Sequence, residues 1–309
     1  QFLYFIGAMF QKLTFLGTSS GVPTKYRNVS SSCVSLASGA VWMFDCGEGT
    51  QHQLQRADAV SQGKIERVFL THLHGDHCYG LPGLMCSMGM TWKRGHDDEA
   101  DAESEHSFCD FNDRAQFFEI VGPPKTATFI RTVLQVSDAW LPFRYRVTEL
   151  GTSGDQSAAA LHACEAPPLF LEPDERGLFH VGVVDGFRIV AGPLGHRVPC
   201  FGYVVTEPDS SGSLDVAAAT KLGVPKGPLL AQLKAGSAVT LPSGVTIQPT
   251  QVVGPPVAGR KLVMLGDTCD SSRIADAASG ATWLVHESTF DSSNAALAIP
   301  RGHSTAEMA

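Results

Sequence analysis

Apolar and polar positions along this chain alternate in short runs rather than in long helical stripes. QKLTFL (11–16) alternates into a strand ending at Gly17, and the Gly, Ser, Pro and Asn residues of GTSSGVPTKYRNVSSS behind it predict a long loop. CVSLASGAVWMFDCGEGT reads as a hairpin of two strands around Ser38-Gly39, closing on an acidic turn bracketed by glycines. A polar helical piece, TQHQLQRADAV, leads into the buried strand IERVFL. FFEIVGPP predicts another strand and turn, and KTATFIRTVLQVSDAW a helix with Phe129, Val133 and Val136 on one side. GFRIVAGPLGH, CFGYVVTE, RKLVMLGDT and ATWLVHEST then share one grammar, an apolar strand that begins or ends at a residue able to bind metal. Strand pairs with helices between them predict an α/β domain of two sheets packed face to face and covered by helices.

Two stretches break the pattern. Between Pro208 and Pro256 a Pro-, Gly- and Lys-rich segment, with KLGVPKGPLLAQLKAG inside it, reads as an excursion from the sheet over 208–256. Residues 91–115 are polar and aperiodic and predict a flexible, solvated insertion carrying Asp97, Asp98, Glu99, Asp101, Glu103, Glu105 and Asp110. Those acids account for most of the formal charge of -8. The remainder is close to neutral, which disfavours a general nucleic-acid binder but leaves room for local basic patches.

The 309 residues suffice for one domain, expected over 9–309. QFLYFIGAM lacks the basic flank and cleavage site of a signal peptide, so 1–8 read as an expression-vector remnant or an ordinary extension, with Met9 the native start. No run of eighteen apolar residues appears, and no membrane span is predicted. Eight cysteines without a C-x-x-C pair read as reduced thiols, which places the protein inside the cell, in cytoplasm, nucleus or an organelle.

The densest chemistry is THLHGDHCYGLPG (71–83), with His72, His74, Asp76 and His77 within six residues at the end of a strand. Imidazole with carboxylate suits zinc and similar first-row metals, whereas Mg and Ca prefer oxygen alone. Alternate residues of an extended segment point the same way, so His72 and His74 can reach one ion. Gly75 permits a turn that aims Asp76 and His77 at a different point, which suits two metals ~3.5–4 Å apart. His196 in GPLGH and Asp267 in LGDT, both at strand ends, are the candidates to complete the set, Asp267 as a bridge.

H-x-H-x-D-H behind a strand resembles the metallo-β-lactamase superfamily, whose fold is a four-layer αββα sandwich. FLGTSSGVPTKYRNVSS, FDCGEGTQHQL, GVPKGPLLAQLKAG, VHESTF and GHSTAEMA narrow the resemblance, over about Phe10 to Ala309, to the short form of the ribonuclease Z (tRNA 3′ processing endonuclease) family. The resemblance implies one zinc on His72, His74, His196 and Asp267, and a second on Asp76, His77 and the same Asp267. The family's remaining ligand comes from a later T-H-x-S motif, so the second site is expected to be incomplete in the residues up to Ala309, with a C-terminal part of the fold beyond them. It further implies Asp76 as the group that accepts the proton of the attacking water, His303 as general acid and Glu287 as the residue orienting it; His286 is read as structural. Lys25, Arg27 and Asn28 are expected to meet phosphates and the last unpaired base. Lys221, Lys226 and Lys234 on a protruding arm are expected to meet the precursor tRNA, in a homodimer. The competing readings are a small-molecule thioester or sulfate hydrolase of the same fold, which predicts no HEST and HST pair, and a catalytically silent RNA-binding subunit, which predicts lost ligands.

Overall fold

The computed structural model describes residues 9–88, 117–151 and 160–309; the expectations for 1–8 and 91–115 lie outside the described residues. The chain runs β1 (Phe10–Gly17), β2 (Ser31–Leu36), β3 (Val41–Cys46), α1 (Thr50–Arg56), β4 (Ile65–Phe69), α2 (Gly75–Cys78), α3 (Leu81–Met88), β5 (Phe117–Gly122), α4 (Thr126–Val136), β6 (Arg144–Leu150) and β7 (Leu169–Leu171). These seven strands form one sheet in sequence order, antiparallel from β1 to β3 and parallel from β3 to β7. There follow β8 (Phe179–Val184), β9 (Phe187–Leu194), β10 (Cys200–Thr206), α5 (Val216–Lys221), α6 (Pro228–Lys234), β11 (Val239–Thr240), β12 (Thr246–Ile247), β13 (Lys261–Met264), α7 (Ser272–Ala278), β14 (Trp283–Val285) and α8 (Ala295–Arg301). The second sheet has the order β14-β13-β10-β9-β8, and β11 pairs only with β12.

Period-two alternation sorts the side chains into layers. In β3, Trp42 and Phe44 enter the core between the sheets, while Val41 and Met43 face a second core with Leu54 of α1, Leu84 of α3 and Ile130 of α4. In β10, Phe201, Tyr203 and Val205 join the inter-sheet core, while Cys200 and Val204 pack outward with Ile274 of α7. The result is helix, sheet, sheet, helix, the four-layer metallo-β-lactamase sandwich. Because β3 is buried along its whole length, it has no solvent face and reads as an almost continuous apolar run. Trp42 lies edge-on to Phe187 of the opposite sheet, centroids 5.1 Å apart. Each such fully buried ring contributes roughly 1.5–3 kcal/mol of transfer free energy.

The helix over 126–136 forms, but the apolar stripe expected for it buries only in part, Phe129 packing against the core. Ala127, Ile130, Arg131 and Leu134 face the core, whereas Val136 is 81% exposed. Two distant carboxylates fix the rotation. Glu149 of β6 accepts from the backbone N–H groups of Lys125 and Ala127 at 3.1 and 2.9 Å. Glu165 grips Arg131 through two 2.7 Å hydrogen bonds and so draws a cation inward.

Residues Thr206–Arg260 form a compact unit of their own, distinct from the unit made by the rest of the chain. It has a small core of Ala219, Val224, Leu233, Val239, Leu241, Ile247 and Val252. Its two ends are tied by Arg260, whose Nη2 and Nε donate to the Glu207 carboxylate at 2.6 and 2.9 Å. No helix among the described residues is long and apolar enough to cross a membrane.

Candidate metal centre

Six strand or helix ends supply the site. His72 and His74 lie in the extended segment after β4, and Asp76 and His77 in the first turn of α2. His196 follows β9, Asp267 follows β13, Glu287 follows β14, and His303 follows Gly302, the left-handed cap of α8. Glycines permit the convergence where backbone passes close to side chain. A Cβ at Gly266 would sit 2.6 Å from the Cβ of Thr71 and 2.7 Å from the sulfur of Cys200, so only glycine lets the LGDT turn approach the H-x-H segment.

The first set is His72, His74, His196 and Asp267, whose ligand atoms all lie within 4.8 Å of one another. His72 Nε2 is 3.1 Å from His74 Nδ1, His196 Nε2 is 3.2 Å from the same atom, and His72 Nε2 is 3.7 Å from Asp267 Oδ2. A tetrahedral zinc with ligands at 2.0–2.1 Å has edges of about 3.3 Å, so the spacing fits such an ion. The tautomers point the same way. Thr71 Oγ1 gives its proton to Asp45 Oδ2 at 2.9 Å and therefore accepts from His72 Nδ1 at 3.0 Å, which leaves His72 Nε2 a bare lone pair. His196 Nδ1 donates to the Gly302 carbonyl at 2.6 Å, which leaves its Nε2 bare as well. Two bare nitrogens facing the one Nδ1 of His74 call for a cation, since a single proton there can satisfy only one of them.

Charge follows burial. Burial, with the neighbouring His77 second, drops the pKa of His72 to about 2 and keeps it a neutral ligand. Burial and His196 lower His74, and burial lowers His196 against the pull of the Gly302 carbonyl. Burial works to raise Asp267, but the His77 hydrogen bond and the surrounding imidazoles outweigh it and hold the carboxyl well below its usual range.

His77 organises the second set. Its Nε2 is 3.4 Å from Asp267 Oδ1 and 3.5 Å from Asp76 Oδ2, and its Nδ1 is 2.7 Å from Asp45 Oδ2. Burial disfavours charge on this ring, yet Asp45 and Asp267 lift its pKa well above the ordinary value. Positive charge is therefore strongly favoured between His77 and those carboxylates. Asp267 also lies close to Glu287 and His303, the three offering ligand atoms within 4.8 Å of one another. The Glu287 carboxylate is already engaged, accepting from Thr268 N at 2.9 Å, Thr289 N at 3.0 Å and His303 Nδ1 at 2.9 Å. That engagement suits a residue that orients His303 better than one that binds an ion. His286 is half-buried, its Nδ1 against the Glu287 carbonyl at 2.7 Å.

A cleft of ≈560 Å³ opens beside these groups, lined by His77, Asp267, Glu287, Thr24, Tyr26 and Arg27 among others. The loop bearing Tyr26 is tied to the site by Gly21 N, which donates to Asp76 Oδ2 at 2.7 Å. Lys25 and Arg27 are exposed on that loop. Asn28 is partly buried; its side-chain amide donates to the Glu48 carbonyl at 2.8 Å, and its own carbonyl accepts from Thr18 N and Ser19 N. Lys221, Lys226 and Lys234 are exposed in the Thr206–Arg260 unit. Sequence reasoning missed Asp45, which is 4% exposed and sits at φ 57° where β3 ends. Its signal was an acid at a strand end before the glycine turn of FDCGEGT.

The family model described as anti-Pycsar protein Apyc1 matches residues 11–97. A protein named ribonuclease Z from Rippkaea orientalis is 39% identical over 299 residues, 96% of this chain and 80% of that protein. The chain belongs to the ribonuclease Z family. Ribonuclease BN of Escherichia coli is 36% identical over 302 residues, spanning 96% of this chain and 83% of its own length. Among solved structures, the short form of human tRNase Z superposes with a TM-score of 0.65 at 29% identity, covering 96% of this chain and 85% of that one. The metallo-β-lactamase fold protein YhfI of Bacillus subtilis, at 13% identity and a TM-score of 0.51, shares the fold.

Proposed function

We propose that His72, His74, His196 and Asp267 hold one zinc ion, and Asp76, His77 and Asp267 a second, in a tRNA 3′ processing endoribonuclease. As a member of the ribonuclease Z family the chain removes the 3′ trailer from precursor tRNA. The cut falls after the discriminator base and leaves a 3′-hydroxyl. Zinc held by these residues would supply a nucleophile near neutral pH and polarise a phosphoryl oxygen.

The side chains do the rest. Asp76 orients the attacking water and accepts its proton, its Oδ2 being steadied by Gly21 N. His303 protonates the departing 3′ oxygen, and Glu287 fixes its ring by taking the Nδ1 hydrogen at 2.9 Å. Lys25 and Arg27 receive phosphates at the cleft mouth, Asn28 braces their loop and offers its amide to the last unpaired base, and Lys221, Lys226 and Lys234 meet the backbone of the tRNA body. The protein works as a homodimer.

The observation that carries this reading is the His303–Glu287 pair, with His303 Nδ1 only 3.7 Å from Asp267. An alkoxide is a poor leaving group and needs a proton donor beside the ions; a thiolate leaving from a thioester does not. The test is incubation of full-length protein with precursor tRNA bearing a 3′ trailer, mapping both new ends. Cleavage after the discriminator base with a 3′-hydroxyl is expected, whereas thioester hydrolysis with the RNA left whole would overturn the reading.

A further inference from the structure

His74 and His196 are half-buried and do not line the cleft of Tyr26 and Arg27, whose walls include His77, Asp267 and Glu287. The metal centre therefore opens on a second side, and two side chains frame it. Tyr79 caps α2 directly behind the metal-ligand turn. Its ring lies against the backbone of Gly75, the residue between His74 and Asp76, where a Cβ would overlap ring carbons Cδ2 and Cε2. The ring also stacks on Phe129 of α4, centroids 6.1 Å apart and planes 29° from parallel. Held in these two places, Tyr79 is nevertheless 63% exposed. Arg197, the residue after His196, is exposed too, and no ion pair or hydrogen bond among the described residues engages its guanidinium. Its stem packs over Gly302, where a Cβ would meet Arg197 Cγ at 3.4 Å. Burial leads in lowering the pKa of His74 and of His196, and the charge of Arg197 adds to it at both rings, which puts the cation beside the pair.

We propose that Tyr79 and Arg197 form the subsite for the trailer strand: the Tyr79 ring stacks on its first base, and the Arg197 guanidinium binds its next phosphate. The inference rests on the tRNA reading above. Hydrolysis that leaves a 3′-hydroxyl on the tRNA leaves the phosphate on the trailer, so the trailer begins at the metal centre itself. With the cleft given to the tRNA side through Arg27 and its loop, the strand beyond the cut leaves by another side. The side of the half-buried histidines is the one that offers an aromatic face and a cation. Unpaired RNA has handles for both, a π face on each base and a negative charge on each link. Arginine suits the phosphate because its planar fork can give two parallel hydrogen bonds. A ring already held by Gly75 and Phe129 loses little freedom when a base lands on it, which makes it a better platform than a loose surface side chain. Stacking tolerates every base, so the subsite takes trailers of any sequence.

The experiment measures kcat/KM of full-length, zinc-loaded protein on three precursor tRNAs. One carries an ordinary trailer, one is abasic at the first trailer nucleotide, and one has an uncharged methylphosphonate in place of the next phosphate. Wild-type protein should cut the abasic trailer about 5- to 150-fold less well, the worth of one stacked base, and the methylphosphonate trailer about tenfold less well. Tyr79→Ala should lose the first factor on the ordinary trailer and nothing further on the abasic one, while Tyr79→Phe cuts like wild type. Arg197→Ala should lose the second factor on the ordinary trailer and nothing further on the methylphosphonate one. A variant that loses as much on its altered trailer as on the ordinary one has only disturbed the neighbouring ligands, and that result overturns the proposal. So does wild-type protein indifferent to either altered trailer. Should Tyr79→Ala not fold, the abasic trailer on wild-type protein and the Arg197→Ala comparison decide the matter. Wild-type protein that leaves every precursor whole overturns the tRNA reading itself, and the subsite with it.

Discussion

Replacing Glu287 by glutamine probes the half of the site to which we assign proton donation. Glu287 Oε1 accepts from His303 Nδ1 and Thr268 N, both at 2.9 Å, and Oε2 accepts from Thr289 N at 3.0 Å. An amide has one acceptor oxygen where the carboxylate has two, so either His303 or Thr289 comes to face an NH2 group. The two side chains are only about a tenth exposed, 11% for His303 and 10% for Glu287, so solvent replaces little of the loss. A hydrogen bond to a charged group contributes about 1.5–3 kcal/mol, and 1.4 kcal/mol is tenfold in rate, so cleavage should slow by roughly 10- to 150-fold. His303→Ala should cost more, about 10²–10⁴-fold, the usual share of a general acid. The assay is single-turnover cleavage of a 3′-tailed precursor tRNA with saturating enzyme, run beside binding by filter retention, which should be unchanged. The decisive comparison uses a precursor whose scissile 3′ oxygen is replaced by sulfur, a leaving group that needs no proton. Both variants should recover most of their lost rate on that substrate. If they stay as slow on the sulfur substrate as on the oxygen one, His303 is not the proton donor, and the role assigned to Glu287 fails with it.

Three further outcomes follow from the same geometry. Asp267→Ala removes the one carboxylate shared by both sets, so zinc content by mass spectrometry should fall toward zero for both ions and cleavage should be lost; retention of one tightly held ion contradicts the bridging role. Glu165→Ala strands the Arg131 guanidinium, 7% exposed, without its partner, and should lower unfolding free energy by about 3–5 kcal/mol in denaturant titrations. A loss below 1 kcal/mol there would mean the pair does not hold α4. Alanine at Lys221, Lys226 and Lys234 together should reduce the slope of log affinity against log salt by about 2–3, near 0.9 per phosphate contact, with the rate at saturating enzyme unchanged; an unaltered slope would show that these lysines do not touch the RNA.

Several features were legible in the chain itself because they are local. Period-two alternation wrote the strands, the Ser38-Gly39 turn joined β2 to β3, and His72, His74, Asp76 and His77 stand within six residues, so their division between an extended segment and a helical turn could be read from spacing and from Gly75. The strand-end positions of His196 and Asp267 were visible for the same reason. Other features depend on groups far apart in sequence. The spacing on α4 pointed to Phe129, Val133 and Val136, but the rotation was set by Glu149 and Glu165, carboxylates brought to the helix from later in the chain. The bare lone pairs of His72 and His196 follow from Thr71, Asp45 and the Gly302 carbonyl, the last of these 106 residues from the ring it orients. The sequence by itself determined which atoms this protein can offer to a metal. Only the tertiary structure decided which of them carry protons, because a hydrogen bond's direction is set by its partner, and here the deciding partners, Asp45 and the Gly302 carbonyl, stand far along the chain from the rings.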